Sequence, residues 1–337
     1  MTRVVSVSTP TRRPTLADVA SLAGISTAVV SYVINDGPRT VSPATKAKVE
    51  SAIATLGYRR NPLASALSAG RSNLVGLLVP DSSNAFFSEL SRHLEAEGRR
   101  RGLLTLLGNT AYKRETEIDY ENAFSDLRAR GIFVTSVGQG VADADDCPRI
   151  YLHSAPIGSE GPRVLFDDAG GAFEAVTHLL EHGYTDIHCL TGPNDVGPAG
   201  RRELGWLRAL HEADLPTEGR LHRVSYDRFD AESAVLSLLD SENPPRVVFA
   251  TTDEQALATM RAAAVLGLRV PEDLAVVGFD GIRETLRGSI RMTTVALPLQ
   301  QLAVTAYETL DAWLEHGEAQ HHVLSGTLVV GDTCGAH

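Results

Sequence analysis

Cysteine is scarce in this chain, three in 337 residues, at positions 147, 189 and 334. Three isolated thiols without metal-ligand spacing or a redox pair argue against a disulfide framework, and neither a metal site nor a cofactor is expected. Long apolar runs are missing as well. No segment approaches the ~18 to 20 continuous apolar residues of a membrane span, and residues 1–10 lack the apolar core of a signal peptide. A cytoplasmic, nucleoid-associated protein without a membrane partner is expected. Catalytic signatures are also absent: there is no Gly-x-x-x-x-Gly-Lys-Ser/Thr, no Gly-x-Ser-x-Gly elbow and no His-Glu-x-x-His. An enzyme is therefore not the expectation, although an enzyme or a solute-binding protein on the same α/β layers stays open as an alternative. Aromatic residues make up 6% of a chain that is 43% hydrophobic, a balance that suits an α/β protein of two or three domains.

What is present is unevenly charged. Residues 1–72 carry nine Lys or Arg against three acids, a net of +6, where the whole chain carries −11, so the remainder carries −17. A basic amino-terminal module on an acidic body is the footprint of a protein in which only one part touches phosphates.

That basic module contains two short helical patterns. Leu16, Val19, Ala20 and Ala23 recur at helical spacing and share one face. Gly24 then supplies the left-handed backbone of a sharp turn, Ile25 points back to the core, and Ser26 is placed to cap a second helix. On that helix Val30, Val33 and Ile34 form the buried stripe, leaving Thr27, Ala28, Ser31, Tyr32 and Asn35 facing outward. Small residues at the start of an exposed second helix allow close approach to a major groove, which is the outline of a helix-turn-helix. An ordinary helical hairpin in a larger core has the same periodicity.

A loop, Asn35-Asp36-Gly37-Pro38, follows, and Ser42-Pro43 reads as an N-cap with proline in the first turn. The spacing predicts a third helix over Pro43 to Leu56, with Val49, Ala52, Ile53 and Leu56 inward and Lys46 and Lys48 free for phosphate. Residues 63–70 are helix-competent, but a stretch this short is marginal alone. Domains are expected at 14–60 (headpiece, after a tail at 1–13), 61–73 (hinge) and 74–337 (body).

From Leu74 onward, short β-rich runs alternate with helical segments. Nine runs stand out: 75–80, 103–107, 132–137, 150–153, 164–166, 187–190, 221–224, 247–250 and 274–279. Such alternation argues for parallel sheets covered by helices, in two similar subdomains with a cleft between them. Ligands of open α/β sheets sit at the carboxyl ends of strands, so residues just after each run are the place to look.

Four stretches, in order, resemble the LacI/GalR transcriptional repressors. They are Thr15-Leu16-Ala17-Asp18-Val19-Ala20 with Ala23-Gly24-Ile25-Ser26, then Leu56-Gly57-Tyr58-Arg59 with Asn61-Pro62-Leu63-Ala64, then Val79-Pro80-Asp81 with Asn84-Ala85-Phe86-Phe87, and finally Val270 to Asp280. The resemblance covers essentially the whole chain from Thr15. It implies an all-α helix-turn-helix headpiece followed by a periplasmic-binding-protein-like α/β body of two parallel-sheet subdomains. It also implies a homodimer on a palindromic double-stranded DNA operator, with affinity controlled by a small-molecule effector in the interlobe cleft. The tail after Thr327 lacks a heptad run of the kind that adds a tetramerising helix, which favours a dimer.

By position, the resemblance implies DNA contacts at Thr15, Leu16, Ser26, Thr27, Ala28, Ser31, Tyr32, Asn35, Asn61, Ala64 and Leu67. Leu67 matches the leucine that family members insert into the central minor-groove step, unstacking and kinking it. Many members carry an arginine aimed at guanine where this chain has Tyr32, so the operator is expected to differ there. For the effector, the matching positions are Asp81, Asn84, Phe86, Phe87, His153, Arg202, Phe229, Asp253 and Asp280. Carboxylates, a guanidinium and aromatic faces suit a carbohydrate, with a purine or nucleoside as the alternative. His153 stands where an acidic residue is common, and Leu297 replaces a frequent glutamine, so the effector's identity stays open.

Overall fold

The structure, a computed structural model, describes residues 14–34, 41–59, 72–135, 147–156 and 158–335. The chain divides into two compact units, Met1–Ala69 and Gly70–His337.

The first unit is helical. Helix α1 (Leu16–Ala23) opens with a capping box, in which the Thr15 hydroxyl accepts from the Asp18 backbone N–H and the Asp18 carboxylate accepts from the Thr15 N–H. It ends at Gly24, whose φ of 66° only glycine adopts without strain. Helix α2 (Thr27–Ile34) leaves the break after a turn of 106°, within the range of a helix-turn-helix. Helix α3 (Pro43–Leu56) starts at the Ser42 cap with proline in its first turn and closes the unit. Val19, Ala20, Val30, Val49 and Ala52 form its buried centre, ringed by Leu16, Ala23, Ile25, Val33, Ile34, Ile53 and Leu56. The helices and inward stripes thus match the periodicity of the sequence. Asn35 and the loop after it, and Asn61, Ala64 and Leu67, lie outside the described residues.

The second unit is built on two six-stranded sheets. One runs β11-β5-β4-β3-β1-β2 and is parallel throughout, with β1 (Leu74–Val79), β2 (Leu104–Asn109), β3 (Ile132–Val134), β4 (Arg149–Leu152), β5 (Arg163–Phe166) and β11 (His321–Leu324). The other runs β12-β10-β9-β8-β6-β7, with β6 (His188–Thr191), β7 (Leu221–Arg223), β8 (Val247–Ala250), β9 (Ala275–Asp280) and β10 (Thr293–Ala296) parallel and β12 (Thr327–Val329) antiparallel at the edge. Helices α4 (Ala85–Arg100), α5 (Arg114–Asp126) and α11 (Leu299–His316) pack on the first sheet. Helices α6 (Asp168–Glu181), α7 (Gly197–Glu212), α8 (Arg228–Leu239), α9 (Asp253–Val265) and α10 (Arg283–Arg287) belong to the second.

The nine expected runs all hold strands, most shifted by a residue or two at their ends. The run expected over 132–137 is a strand only to Val134. Strands β10, β11 and β12 are additional to them. The chain passes between lobes three times, at residues 166–168, 296–299 and 324–327, and these passages touch. The Asp167 N–H donates to the Leu324 carbonyl at 3.0 Å, and Gly326 is packed so tightly that a Cβ there would meet Val295 at 2.6 Å.

Helices α6 and α7 pack extensively against each other. A Cβ on Gly205 would lie 2.3 Å from the Ala169 carbonyl oxygen, so glycine is what allows the approach. The next residue, Trp206, is fully buried and its indole N–H donates to the Ile187 carbonyl at 3.1 Å. That packing aims the preceding residues, Arg201 and Arg202, at the cleft.

Candidate functional site

Between the lobes lies a cavity of about 540 Å³. Its walls come from the carboxyl ends of strands in both sheets: Asp81 follows β1, Tyr112 β2, Ser154 β4, Asn194 β6, Tyr226 β7 and Thr252 β8, while Asp280 ends β9. Four helix N-termini meet there. Asn84 caps α4 through Phe86 N–H at 2.9 Å, Asp227 caps α8 through Phe229 N–H at 2.9 Å, Thr252 caps α9 through Gln255 N–H at 3.2 Å, and Gly197 to Ala199 open α7. The caps saturate backbone donors and leave the Asn84 amide nitrogen and the second Asp227 oxygen for other partners.

Arg202 is the organising charge. It is 1% exposed, its Nε donates to Asp168 at 2.8 Å, and its Nη1 donates to Asp280 at 2.9 Å and to the Thr251 carbonyl at 2.6 Å. Phe279 lies flat beneath the guanidinium, 3.9 Å from its carbon. Its remaining nitrogen, Nη2, is buried and donates to no protein atom. Burial works against the charge, but Asp280 and Asp168 more than compensate, so the guanidinium pKa stands above its ordinary value. Asp168 also binds Arg201, whose Nη2 reaches the His153 carbonyl at 3.0 Å and so ties the first lobe to α6 and α7 of the second.

Asp280 sits at φ 122°, a conformation that costs energy for any residue with a Cβ. Burial pushes its carboxyl up to about 7, Arg202 pulling against that shift and the Asp253 charge adding to it. Asp253 is raised to about 6, again by burial.

The expected effector residues divide. Asp81, Asn84, Phe86, Phe87, Arg202 and Asp280 line the cavity. Asp253 does not. Its oxygens are taken by the Thr285 and Thr294 hydroxyls, both at 2.6 Å, and by the Ile282 N–H at 2.9 Å, so it fastens α10 and β10 to α9 beneath the site. His153 stands one layer back, its ring against Phe86 at 4.6 Å and Phe166 at 5.9 Å. Burial holds its pKa well below the ordinary value, so the imidazole is neutral, and a φ of 62° strains its backbone. Phe229, in the first turn of α8, does not line the cavity either: it is 78% exposed. In its place Tyr226 lines the wall and stacks on Tyr112 of the other lobe, ring centroids 6.2 Å apart.

Tyr112, Tyr226, Asp227, Asn194, Thr252 and Ser154 escaped the reading of the sequence. The signal was there in part, since each lies in the loop that follows a β-run, within one to five residues of its end. Two further contacts cross the cleft: the Ala85 N–H donates to Glu254 at 3.3 Å, and the Arg283 N–H donates to Glu89 at 2.7 Å.

In the first unit, Thr27 and Ala28 are exposed at the start of α2, Ser31 and Tyr32 are half-buried, and Lys46 and Lys48 are exposed on α3. Thr15 and Ser26 serve as caps, and Leu16 packs on the core of the unit.

A two-helix reading head and a two-lobed body with its cavity at strand ends together define a transcription regulator that carries its own ligand-binding domain. Residues 15–61 match the bacterial regulatory proteins of the lacI family, and residues 176–334 match the periplasmic binding protein-like domain. The chain is 32% identical over 305 residues to the HTH-type transcriptional repressor PurR of Vibrio atlanticus (strain LGP32), covering 88% of this chain and 90% of that protein. It is 32% identical over 308 residues to the HTH-type transcriptional regulator DegA of Bacillus subtilis (strain 168), with the same coverage. It superposes on the Lac repressor dimer bound to operator and the anti-inducer ONPF with a TM-score of 0.85 at 24% identity, over 96% of this chain and all of that one. With the transcriptional regulator CelR–cellobiose complex the TM-score is 0.70 at 27% identity, over 95% of this chain and all of that one. The chain belongs to the lacI family: it is a DNA-binding transcriptional regulator and not an enzyme. Among the described residues no single helix is long and apolar enough to cross a membrane.

Proposed function

We propose that this chain is a dimeric, operator-binding repressor whose DNA affinity is set by a neutral carbohydrate held in the interlobe cavity. The observation that carries the effector class is the polar lining. Asp81, Asp227 and Asp280 offer acceptors, while Arg202, the cation of the lining, is already paired with two carboxylates and keeps one free donor. Ionised carboxylates accept from hydroxyls, the free guanidinium N–H donates to one, and Phe86, Tyr112 and Tyr226 cover C–H faces. A phosphate or carboxylate ligand would meet the carboxylates of Asp81 and Asp227, and an Asp280 only partly protonated near neutral pH, against one neutralised cation. A volume of about 540 Å³ suits a mono- or disaccharide. The cellobiose complex of CelR, at 27% identity, points the same way.

On the DNA side, Thr27, Ala28, Ser31 and Tyr32 form the reading face of α2, and Lys46 and Lys48 hold phosphates. For the dimer, the edge strand β2 carries Leu104, Leu106 and Leu107 at 57%, 37% and 48% exposure, an apolar edge of the kind that a second chain covers.

The test is a melting screen of the full-length protein against neutral sugars, sugar phosphates, nucleosides and purine bases, since a ligand of the native state raises the melting temperature by mass action. A neutral sugar that stabilises the protein and also changes operator affinity supports the reading. Stabilisation by purines or sugar phosphates with no response to any neutral sugar overturns the effector class. Equal affinity for all duplexes under every ligand condition overturns the repressor.

A further inference from the structure

At the far end of α6 from the cavity, three side chains from distant parts of the sequence converge. His178 and His182 are one turn apart at i and i+4, so both rings leave the same face of the helix. Cys334 is fully buried and arrives on the C-terminal segment, which is fastened to β9. The Val276 N–H donates to the Thr333 carbonyl at 2.8 Å, and the Thr333 hydroxyl donates to the Val276 carbonyl at 2.6 Å. Cys334 Sγ lies 3.4 Å from His178 Nε2, which lies 3.2 Å from His182 Nε2, and the three atoms all fall within 4.8 Å of one another.

Hydrogen bonding does not account for that convergence. A neutral imidazole Nε2 has either one proton or one lone pair. His178 Nε2 faces two partners and can make one good bond. The two spacings at His178 are close to something else: ligands at ~2.05 Å (nitrogen) and ~2.3 Å (sulfur) around a tetrahedral ion stand about 3.3 to 3.6 Å apart.

We propose that His178, His182 and Cys334 form a binding site for a thiophilic divalent cation, Zn²⁺ being the ion that the donor set suits best. On binding, the Cys334 thiol gives up its proton to solvent, and the thiolate and two imidazole lone pairs bond the ion, with water in the fourth position. His182 is exposed and provides the path of entry. The ion fixes the segment after β12 to the end of α6. None of the three residues lines the effector cavity, so this is a second, independent ligand site.

The test uses full-length protein stripped with a chelator and titrated first with Co²⁺. The expected result is one equivalent per chain with a thiolate-to-cobalt charge-transfer band, displaced by Zn²⁺, and a rise in melting temperature with Zn²⁺. Cys334→Ser abolishes the band. His182→Ala, at an exposed position that the fold does not need, weakens Zn²⁺ binding at least about tenfold, while Cys147→Ser leaves it unchanged. Absence of a band at stoichiometric Co²⁺, or a band and affinity unchanged in Cys334→Ser and His182→Ala, overturns the proposal.

Discussion

Tyr112 of the first lobe and Tyr226 of the second face each other over the mouth of the cavity, with ring planes 13° from parallel. Each is supplied by a loop after an edge strand, β2 or β7, so the pair forms only when the two lobes stand together. Tyr226→Ala removes a wall of the cavity as well as this contact. Effector affinity is expected to fall by ~1–2 kcal/mol, with operator affinity of the ligand-free protein unchanged, as read by calorimetric titration and fluorescence anisotropy.

Removing Arg202 strands one carboxylate. In Arg202→Met, Asp168 keeps Arg201 but Asp280 loses its charged partner and holds its proton, so a loss of ~1–3 kcal/mol from the broken buried hydrogen bonds is expected in urea unfolding. A loss under ~1 kcal/mol would mean that the guanidinium contributes to the ligand alone.

Stability should fall as pH rises through the neutral range. Asp280 has a native pKa of about 7 against an ordinary 3.8, so the native state holds this proton more tightly than the unfolded chain. The stabilisation from that group is complete below about pH 4 and is lost as pH rises through about 7; Asp253, raised to about 6, acts in the same sense. Asp280→Asn, which cannot ionise, flattens the unfolding free energy between pH 4 and 7 by an amount on the order of a few kcal/mol. An identical slope in wild type and variant would remove Asp280 from the account.

Gly205 has no room for a side chain. Gly205→Ala places a methyl 2.3 Å from the Ala169 carbonyl and is expected to cost ~1–3 kcal/mol, lowering the melting temperature without altering the operator sequence preferred.

On the first unit, Thr27→Ala and Lys48→Ala should separate sequence from charge. The former relaxes base preference at one half-site position, by ~1–3 kcal/mol of discrimination. The latter weakens all duplexes alike and lowers the salt slope by about 0.9. Operator selection and salt titrations read the two effects.

Much of this architecture was legible because local and tertiary demands agree. Helices α1 and α3 are written in caps and periodicity together, Thr15 with Asp18 and Ser42 with Pro43, and they appear where those signals place them. Strands β11 and β12 were not legible. Four and three residues long at sheet edges, with much of their surface exposed, they carry too little pattern, and their partners lie more than a hundred or some thirty residues earlier in the chain. Site residues divide on the same ground. Arg202 and Asp280 stand in motifs, whereas Asp253 shares their chemistry yet is spent on Thr285 and Thr294, which only the packing of α10 reveals. Phe229 was misplaced by one turn of backbone. Tyr226, three residues earlier, lines the wall instead, and sequence spacing cannot say which of two nearby aromatic residues faces inward.

The three touching passages between the lobes have a mechanical corollary. A single connection would let the lobes swivel, slide and splay. Three side by side, held by the Asp167–Leu324 bond and the tight seat of Gly326, leave rotation about one axis as the soft movement. Whatever fills the cavity then works the same one-dimensional joint, so substitutions in the lining can exchange one ligand for another while the direction in which the two lobes approach stays the same.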